Sequence, residues 1–282
     1  MTAIQELIKE IKNLKPIPAV VHPLLEVVDD PNSGMEDIAK IIQYDPAITA
    51  EVLRTANSAF FGLKQPAETI KDAASLLGTE QIIDLVLLKS GARVISGKQP
   101  GYDLNEGAMW KYSVSSAIIA RQLARQLELP HKNSIFTASL LKDIGKTVLD
   151  KFVQDVFEKI SNLVINENLT FMEAEKQIIG IDHAELGGMI AKMWKFSPKM
   201  VKIIRNHHLS DETMIEDTDI AIVYLADCIC MMMGMGVGAD GLAYRFHKQA
   251  MKQIGITADD ITKIIAEFTS KIQEVEDLLQ VV

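Results

Sequence analysis

The sequence predicts an all-α protein with two helical lobes. Apolar residues recur at three- and four-residue spacing, as at Leu7, Ile8 and Ile11, and the alternating patterns typical of strands are rare. Nine prolines divide the chain into segments of about ten to twenty residues, a usual length for helices. Residues 90–104 contain three glycines and a proline, so we expect a linker there and a lobe boundary near residue 100.

Both ends of the chain are predicted to be amphipathic helices. Apolar residues follow helical spacing from Ile4 to Leu14 and again from Ile261 to Leu279. Thr257 can accept the free amide near Asp260, and this pair of residues marks the start of the second of these helices.

We expect three parts along the chain. An N-terminal helical lobe occupies 1–98, a second lobe occupies 99–210, and a C-terminal helical extension over 211–282 packs on the second lobe. Within the extension, Met231 to Met233 are interpreted as adaptable core packing in preference to a binding surface.

The charge balance disfavours nucleic acid as a partner. The chain has 29 basic and 38 acidic residues, a net charge of -9 and an isoelectric point near 5.2, so it repels a phosphate backbone. Cys228 and Cys230 are the only cysteines, too few for a disulfide framework. Because no apolar run resembles a signal peptide or is long enough to span a membrane, we expect a cytoplasmic protein with reduced thiols and no membrane partner.

Four stretches carry residue types that bind metals. They contain Asp143, His183, the adjacent pair His207 and His208, and Asp227, on successive predicted helices. Carboxylates and imidazoles are ligands of divalent metals, and helical bundles build such sites from inward-facing side chains. A metal site is one interpretation of these five residues.

Each of these residues also has a structural interpretation. His183 equally well caps the helix that follows it. His207 and His208 are adjacent, so about a hundred degrees separates them on a helix and at most one need face the interior. Asp227 lies in an apolar helix, where a buried carboxylate needs a partner, and Asp143 is the expected neighbour through a shared cation.

One glycine pattern points to a phosphate loop and is set aside. Gly236 to Gly241 match Gly-x-Gly-x-x-Gly, but such a loop needs a strand before it and a helix after it. Since no alternating strands and helices surround it, we expect an ordinary loop and no bound dinucleotide.

In combination, these stretches resemble the HDOD domain, a relative of the HD and HD-GYP phosphohydrolases. The resemblance covers about residues 13–210. In the first lobe it rests on Leu14 to Val20, Ile41 to Gly62 and Thr69 to Leu87; in the second it rests on MWKYS, LLKDIGK, HAELG and HH. It implies a two-lobed, multi-helical HDOD architecture with an HD-like second lobe.

The resemblance also implies which positions once held a metal. Active HD enzymes use a histidine, a His-Asp doublet and a distal aspartate, and HD-GYP relatives add histidines. These positions fall at Tyr112, at Lys142 and Asp143, at Asp227, and at His183, His207 and His208. A phenol is a poor ligand at neutral pH and an ammonium has no lone pair. The ordinary metal site is therefore expected to be broken at Tyr112 and Lys142, leaving no catalytic residue.

Lys142 suggests what replaced the metal. Its fixed positive charge stands beside carboxylates that repel each other when bare. We expect the Lys142 ammonium to take the place of the cation and to pair with Asp143 or Asp227.

The leading functional hypothesis is a non-catalytic bacterial output module for signalling, which binds a signalling protein or a small ligand and needs no cofactor. Arg54 and Asn57, beside the aromatic pair Phe60 and Phe61, are candidate contacts for a partner. A purely structural helical scaffold is a third hypothesis.

The alternative hypothesis is a metal-dependent phosphohydrolase, similar to cyclic-dinucleotide phosphodiesterases. In it, iron, manganese or zinc is held in a rearranged site by Asp143, His183, His207, His208 and Asp227, and the metal activates water.

Overall fold

A computed structural model gives the fold, and it describes residues 3–14, 16–30, 32–209, 212–235, 238–239, 241 and 247–281. Within these ranges every regular element is a helix, apart from an isolated bridge between Gln99 and Leu104. The predicted all-α class and two-lobed architecture are confirmed. The division at residues 98 and 210 stays a prediction.

The predicted N-terminal lobe contains six helices: α1 (Ala3–Asn13), α2 (Val21–Val28), α3 (Met35–Gln43), α4 (Pro46–Ala56), α5 (Ile70–Leu77) and α6 (Thr79–Ile95). Their starts follow from local chemistry. The Asp45 carboxylate accepts the amides of Ala47 and Ile48 ahead of α4, and Thr69 caps α5 by accepting the amide of Asp72.

The predicted second lobe contains α7 (Ala108–Gln126), α8 (Lys132–Leu141), α9 (Lys146–Glu167), α10 (Phe171–Ile179), α11 (His183–Met193) and α12 (Pro198–Asn206). The C-terminal segment adds α13 (Thr218–Met232), α14 (Lys248–Gln253), α15 (Ala258–Ser270) and α16 (Ile272–Val281). The predicted cap is confirmed, because Thr257 and Asp260 bond each other's backbone amides at the start of α15.

Helices α7 and α13 form the centre of the molecule. They pack on each other, and both also pack on α8. Nearly every side chain of α13 from Asp219 to Cys230 is buried, which explains why its apolar residues show little periodicity. No helix in the described part of the chain is both long and apolar enough to cross a membrane.

The predicted linker at 90–104 is partly wrong. Residues 90–95 complete helix α6, and Gly91 is a contact point because the Trp110 ring and the Leu140 side chain pack directly on its backbone. The connection that follows is compact: the amide of Gly101 donates to the Asp150 carboxylate, and the ring of Tyr102 is fully buried. Glycine here permits close packing between helices.

Gly238, within the glycine pattern at Gly236 to Gly241, has a packing role. Gly236, Val237 and Asp240 lie outside the described residues. A side chain at Gly238 would overlap the carbonyl oxygen of Tyr102, so the chain approaches that backbone too closely for any residue but glycine.

Candidate functional site

Six helices bring the predicted site residues together in the interior. Tyr112 lies on α7, Lys142 and Asp143 form the turn between α8 and α9, His183 begins α11, His207 and His208 follow α12, and Asp227 lies within α13. All of them are at most 3% exposed except His208, which is half-buried. We call the group formed by these residues with Lys146, Glu175 and Tyr102 the polar core.

The Lys142 ammonium lies between two carboxylates. It pairs with Asp143 Oδ2, and its Nζ is 2.9 Å from Asp227 Oδ1. The Tyr112 hydroxyl donates to the same Asp227 oxygen at 2.6 Å, and the ammonium lies 4.3 Å from the centre of the Tyr112 ring. The predicted pairing of Lys142 is therefore present with both aspartates, which share one cation as expected.

A second ammonium binds the other oxygen of Asp143. Lys146 Nζ is 2.8 Å from Asp143 Oδ1. The same oxygen faces two imidazoles, with His183 Nε2 at 3.7 Å and His207 Nε2 at 3.8 Å. Asp143 thus separates a lysine side from a histidine side of the polar core.

Glu175 orients His183. Its Oε2 accepts from the His183 backbone amide at 3.0 Å and lies 2.7 Å from His183 Nδ1, while its Oε1 accepts from the Tyr102 hydroxyl. A carboxylate on Nδ1 fixes the ring and directs Nε2 toward the centre of the core. There, His183 Nε2 lies 2.8 Å from His208 Nε2.

His207 has one nitrogen without a partner. Its Nδ1 lies 2.8 Å from the carbonyl oxygen of Ile204, which can only accept, so Nδ1 carries the proton. Its Nε2 therefore has a free lone pair, and this buried atom has no hydrogen-bond partner among the residues described. Such an atom fits either a water molecule or a metal.

The charges of the lysine side support one another. Burial alone would lower the pKa of Lys142, but Asp143 and Asp227 outweigh it and raise that pKa above its usual value. Burial would raise the pKa of Asp143, but Lys142 and Lys146 hold it well below its usual range. Burial would also raise the pKa of Asp227, but the Lys142 ammonium outweighs it and lowers that pKa. Both aspartates are ionised and both have cationic partners.

The three histidines differ in their protonation. Burial lowers the pKa of His207 to about 4, and burial together with His207 lowers the pKa of His208 well below its usual value. Burial would also lower the pKa of His183, but the Glu175 carboxylate outweighs it and raises that pKa. Two of the imidazoles are therefore neutral at physiological pH.

Two structural interpretations of the histidines are wrong. His183 does not cap α11, because Asp182 takes that role by accepting the amide of Glu185 at 2.7 Å. His207 and His208 do not diverge around a helix, because α12 ends at Asn206 and the turn that follows brings their rings to 4.0 Å between centres.

The metal ligands of the alternative hypothesis are only partly assembled. Four side chains offer ligand atoms within 4.8 Å of one another: Asp143, His183, His207 and His208. Asp227 faces the Lys142 ammonium instead. A divalent cation at the four-residue group would stand beside two ammonium groups already bound to Asp143, which is electrostatically unfavourable. The donor types suit a metal, but the neighbouring charges do not.

Three members of the polar core were missed by the sequence analysis. Lys146 follows Asp143 by three residues, one helical turn, which could have identified it. Glu175 is fully buried on α10, yet nothing local distinguishes it from its exposed neighbours. Tyr102 lay in the predicted linker.

The two predicted contact residues lie away from this core, on the N-terminal lobe. Arg54 is exposed on α4. Asn57 has a structural role that was not predicted. Its side-chain Nδ2 donates to the Ala67 carbonyl oxygen at 2.9 Å, and its Oδ1 accepts from the Ala67 backbone amide at 2.7 Å. Their role in partner binding stays a prediction.

Gly145 allows the turn that carries Lys142 and Asp143 to approach α11. A Cβ added there would overlap the carbonyl oxygen of His183 and lie 2.8 Å from its carbon and 2.9 Å from Gly187 N. We expect Gly145→Ala to lower the free energy of unfolding by about 3 kcal/mol, because backbone cannot move aside. Gly97→Ala, whose nearest neighbour is a flexible Gln99 atom at 3.9 Å, is the control. Equal denaturation midpoints for the two variants would refute the close approach.

Comparison with known sequences places the chain in a family. The HDOD domain model matches residues 14–210. A protein of Treponema pallidum (strain Nichols), described as uncharacterized, is 22% identical over 196 residues, which cover 68% of this chain and 37% of that protein. The chain thus matches little more than a third of this relative's length.

Solved structures share the fold. An HDOD domain protein of unknown function from Geobacter sulfurreducens has a TM-score of 0.72 at 24% identity, covering 99% of this chain and 97% of that one. A "putative phosphohydrolase" from Shewanella amazonensis has a TM-score of 0.66 at 26% identity, covering 98% and 97%. A "putative signal transduction protein" from Marinobacter aquaeolei has a TM-score of 0.75 at 17% identity, covering 99% and 65%. The helical architecture and the match over most of the chain agree: the protein belongs to the HDOD domain family.

Proposed function

We propose that this HDOD protein is a non-catalytic signalling output module that evolved from a metal-dependent phosphohydrolase and acts by binding a protein or a small ligand. The observation that supports it most directly is the position of the Lys142 ammonium, between Asp143 and Asp227. An ammonium has no open coordination position, so it cannot hold a water molecule as a ligand and lower its pKa as a metal ion does.

Burial of the polar core supports the same proposal. Lys142, Asp143, His207 and Asp227 are each at most 1% exposed, so these four side chains are closed to solvent in this conformation. A hydrolase site needs a position open to substrate and water.

The cellular setting we propose is the bacterial cytoplasm. Cys228 and Cys230 are free and buried, as is usual for thiols in a reducing compartment. The net charge of -9 favours a protein or small-molecule partner over nucleic acid.

One observation favours the phosphohydrolase alternative. The lone pair of His207 Nε2 points into the core and has no hydrogen-bond partner in the part of the chain that the structure describes, and it lies next to three further potential ligands. In that function Asp143, His183, His207 and His208 would hold the metal, and the metal would supply an activated water.

Metal content distinguishes the two functions. For protein purified without a metal-affinity column, we expect less than about 0.1 iron, manganese or zinc per chain, and no hydrolysis of bis(p-nitrophenyl) phosphate after addition of each metal. Near-stoichiometric metal together with turnover that is lost in His207→Ala would overturn the proposal in favour of the hydrolase.

A further inference from the structure

An apolar groove lies on the C-terminal segment, away from the polar core. It has a volume of about 590 Å³ and is formed by α14, α15 and the end of α13. Six of its nine lining residues are apolar: Met232, Met251, Ile256, Ala258, Ile261 and Ile265. The other three are Lys248, Lys252 and Thr262. We call it the α14–α15 groove.

Met232 shows that this groove is open to solvent. Its side chain is 61% exposed, at the end of a helix that is otherwise buried, so the prediction that Met231 to Met233 are core packing is wrong for the central residue. Methionine is flexible and polarisable, which suits it to surfaces that adapt to a partner. The exposed Met232 beside the partly buried Ile256 and Ile265 leaves apolar surface available to a partner.

Two lysines mark one rim of the groove. Lys248 and Lys252 are four residues apart on α14 and therefore lie on one face of that helix. Both are exposed, and neither has an ion-pair partner within the described parts of the chain. Many other lysines of this acidic protein do have such partners, including Lys71, Lys199 and Lys202.

Charge and shape together select the occupant. An amphipathic helix that places apolar side chains in the groove can extend acidic residues from its flank to both ammonium groups. A single fatty-acid carboxylate would satisfy one lysine only, and the open groove would leave an acyl chain half in water. A second copy of this chain would bring a net charge of -9 against another of -9.

We propose that the α14–α15 groove binds an acidic amphipathic helix of a partner protein. This inference rests on the proposed function, in which the protein acts by binding a partner. It would supply the output surface, while the polar core fixes the scaffold on which that surface stands.

A designed peptide tests the proposal on the full-length protein. The probe is a fluorescein-labelled acidic peptide helix with leucines on one face and glutamates along the flank. The control is a basic peptide in which every glutamate is replaced with lysine. We expect the acidic peptide to bind at least about tenfold more tightly than the basic one in fluorescence anisotropy, with affinity falling as salt rises.

Charge-reversal variants locate the binding site. Lys248→Glu/Lys252→Glu is expected to weaken binding of the acidic peptide by at least about tenfold, and Met232→Asp by a similar factor. The control is Lys151→Glu/Lys159→Glu, which makes the same charge change at exposed positions of α9 and is expected to leave the affinity unchanged.

Several outcomes would overturn the assignment. These are equal binding of both peptides, loss of binding in the α9 control, displacement of the peptide by palmitate, or self-association that blocks peptide binding and disappears in Met232→Asp. If the protein is metal-free and inactive but does not prefer the acidic peptide, the groove does not bind an acidic helix, and the proposed non-catalytic function is unaffected. Stoichiometric metal with turnover would refute that function whatever the peptide does.

Discussion

Lys142→Met is expected to lower the free energy of unfolding by about 3–5 kcal/mol, because it leaves a buried carboxylate without its cation. Lys142 is fully buried and Asp227 is 1% exposed, so solvent cannot compensate for the loss. Asp143 keeps the Lys146 ammonium as a partner, whereas the Tyr112 hydroxyl that donates to Asp227 carries no charge to balance that carboxylate. Urea denaturation followed by circular dichroism measures the change.

Two further variants make this result interpretable. Lys64→Met removes an exposed lysine and is expected to change stability by less than about 0.5 kcal/mol. Adding Asp227→Asn to Lys142→Met removes the orphaned charge while its amide can still bond Tyr112, so the double variant is expected to recover about 2 kcal/mol. A Lys142→Met protein as stable as the wild type would show that the ammonium does not substitute for a metal.

Restoring imidazoles at the two degenerate positions is expected to restore metal binding. Tyr112→His/Lys142→His removes the internal cation and provides two neutral donors next to Asp143 and Asp227. We expect this variant to hold about one iron, manganese or zinc per chain after dialysis against each metal, compared with less than about 0.1 in the wild type. Plasma mass spectrometry gives the ratio, and a rise in melting temperature with added metal confirms that the folded state binds it.

The control for this gain removes one of the original aspartates. Tyr112→His/Lys142→His/Asp227→Asn keeps both new imidazoles but lacks one anionic ligand, so its metal affinity is expected to fall by at least about tenfold. If the wild type binds as much metal as the double-histidine variant, then Lys142 does not exclude the metal and the hydrolase alternative gains support.

The sequence predicted those parts of the site in which a charged residue lies in an apolar segment and therefore needs a partner. Asp227 in an apolar helix required a partner, and Lys142 beside Asp143 supplied one. Glu175 could not be predicted in this way. It lies on an amphipathic helix whose polar residues look alike in sequence, and only the packing of α10 against α9 and α11 decides which carboxylate is buried.

The errors in the fold share a physical cause. Glycines at 91 and 101 were taken as signs of a linker, but both lie at close contacts. The Asp150 carbonyl leaves no room for a side chain at Gly101, and the Trp110 ring would crowd one at Gly91. A sequence shows that a position lacks a side chain, and tertiary packing determines whether that freedom is used for a turn or for contact. Met232 shows the converse, since an apolar helix end can remain uncovered.

Helix α13, which packs on α7 and α8, lies outside the segment that the family model matches. The stretch matched by the family model ends at residue 210, before the helix that supplies Asp227 and covers the apolar side of α7. A chain cut at that boundary would keep both buried ammonium groups but lose one of their counter-ions, and it would expose the centre of its own interior. We therefore expect the smallest autonomous folding unit to be longer than the segment by which the family is recognised, and to include the residues that supply α13.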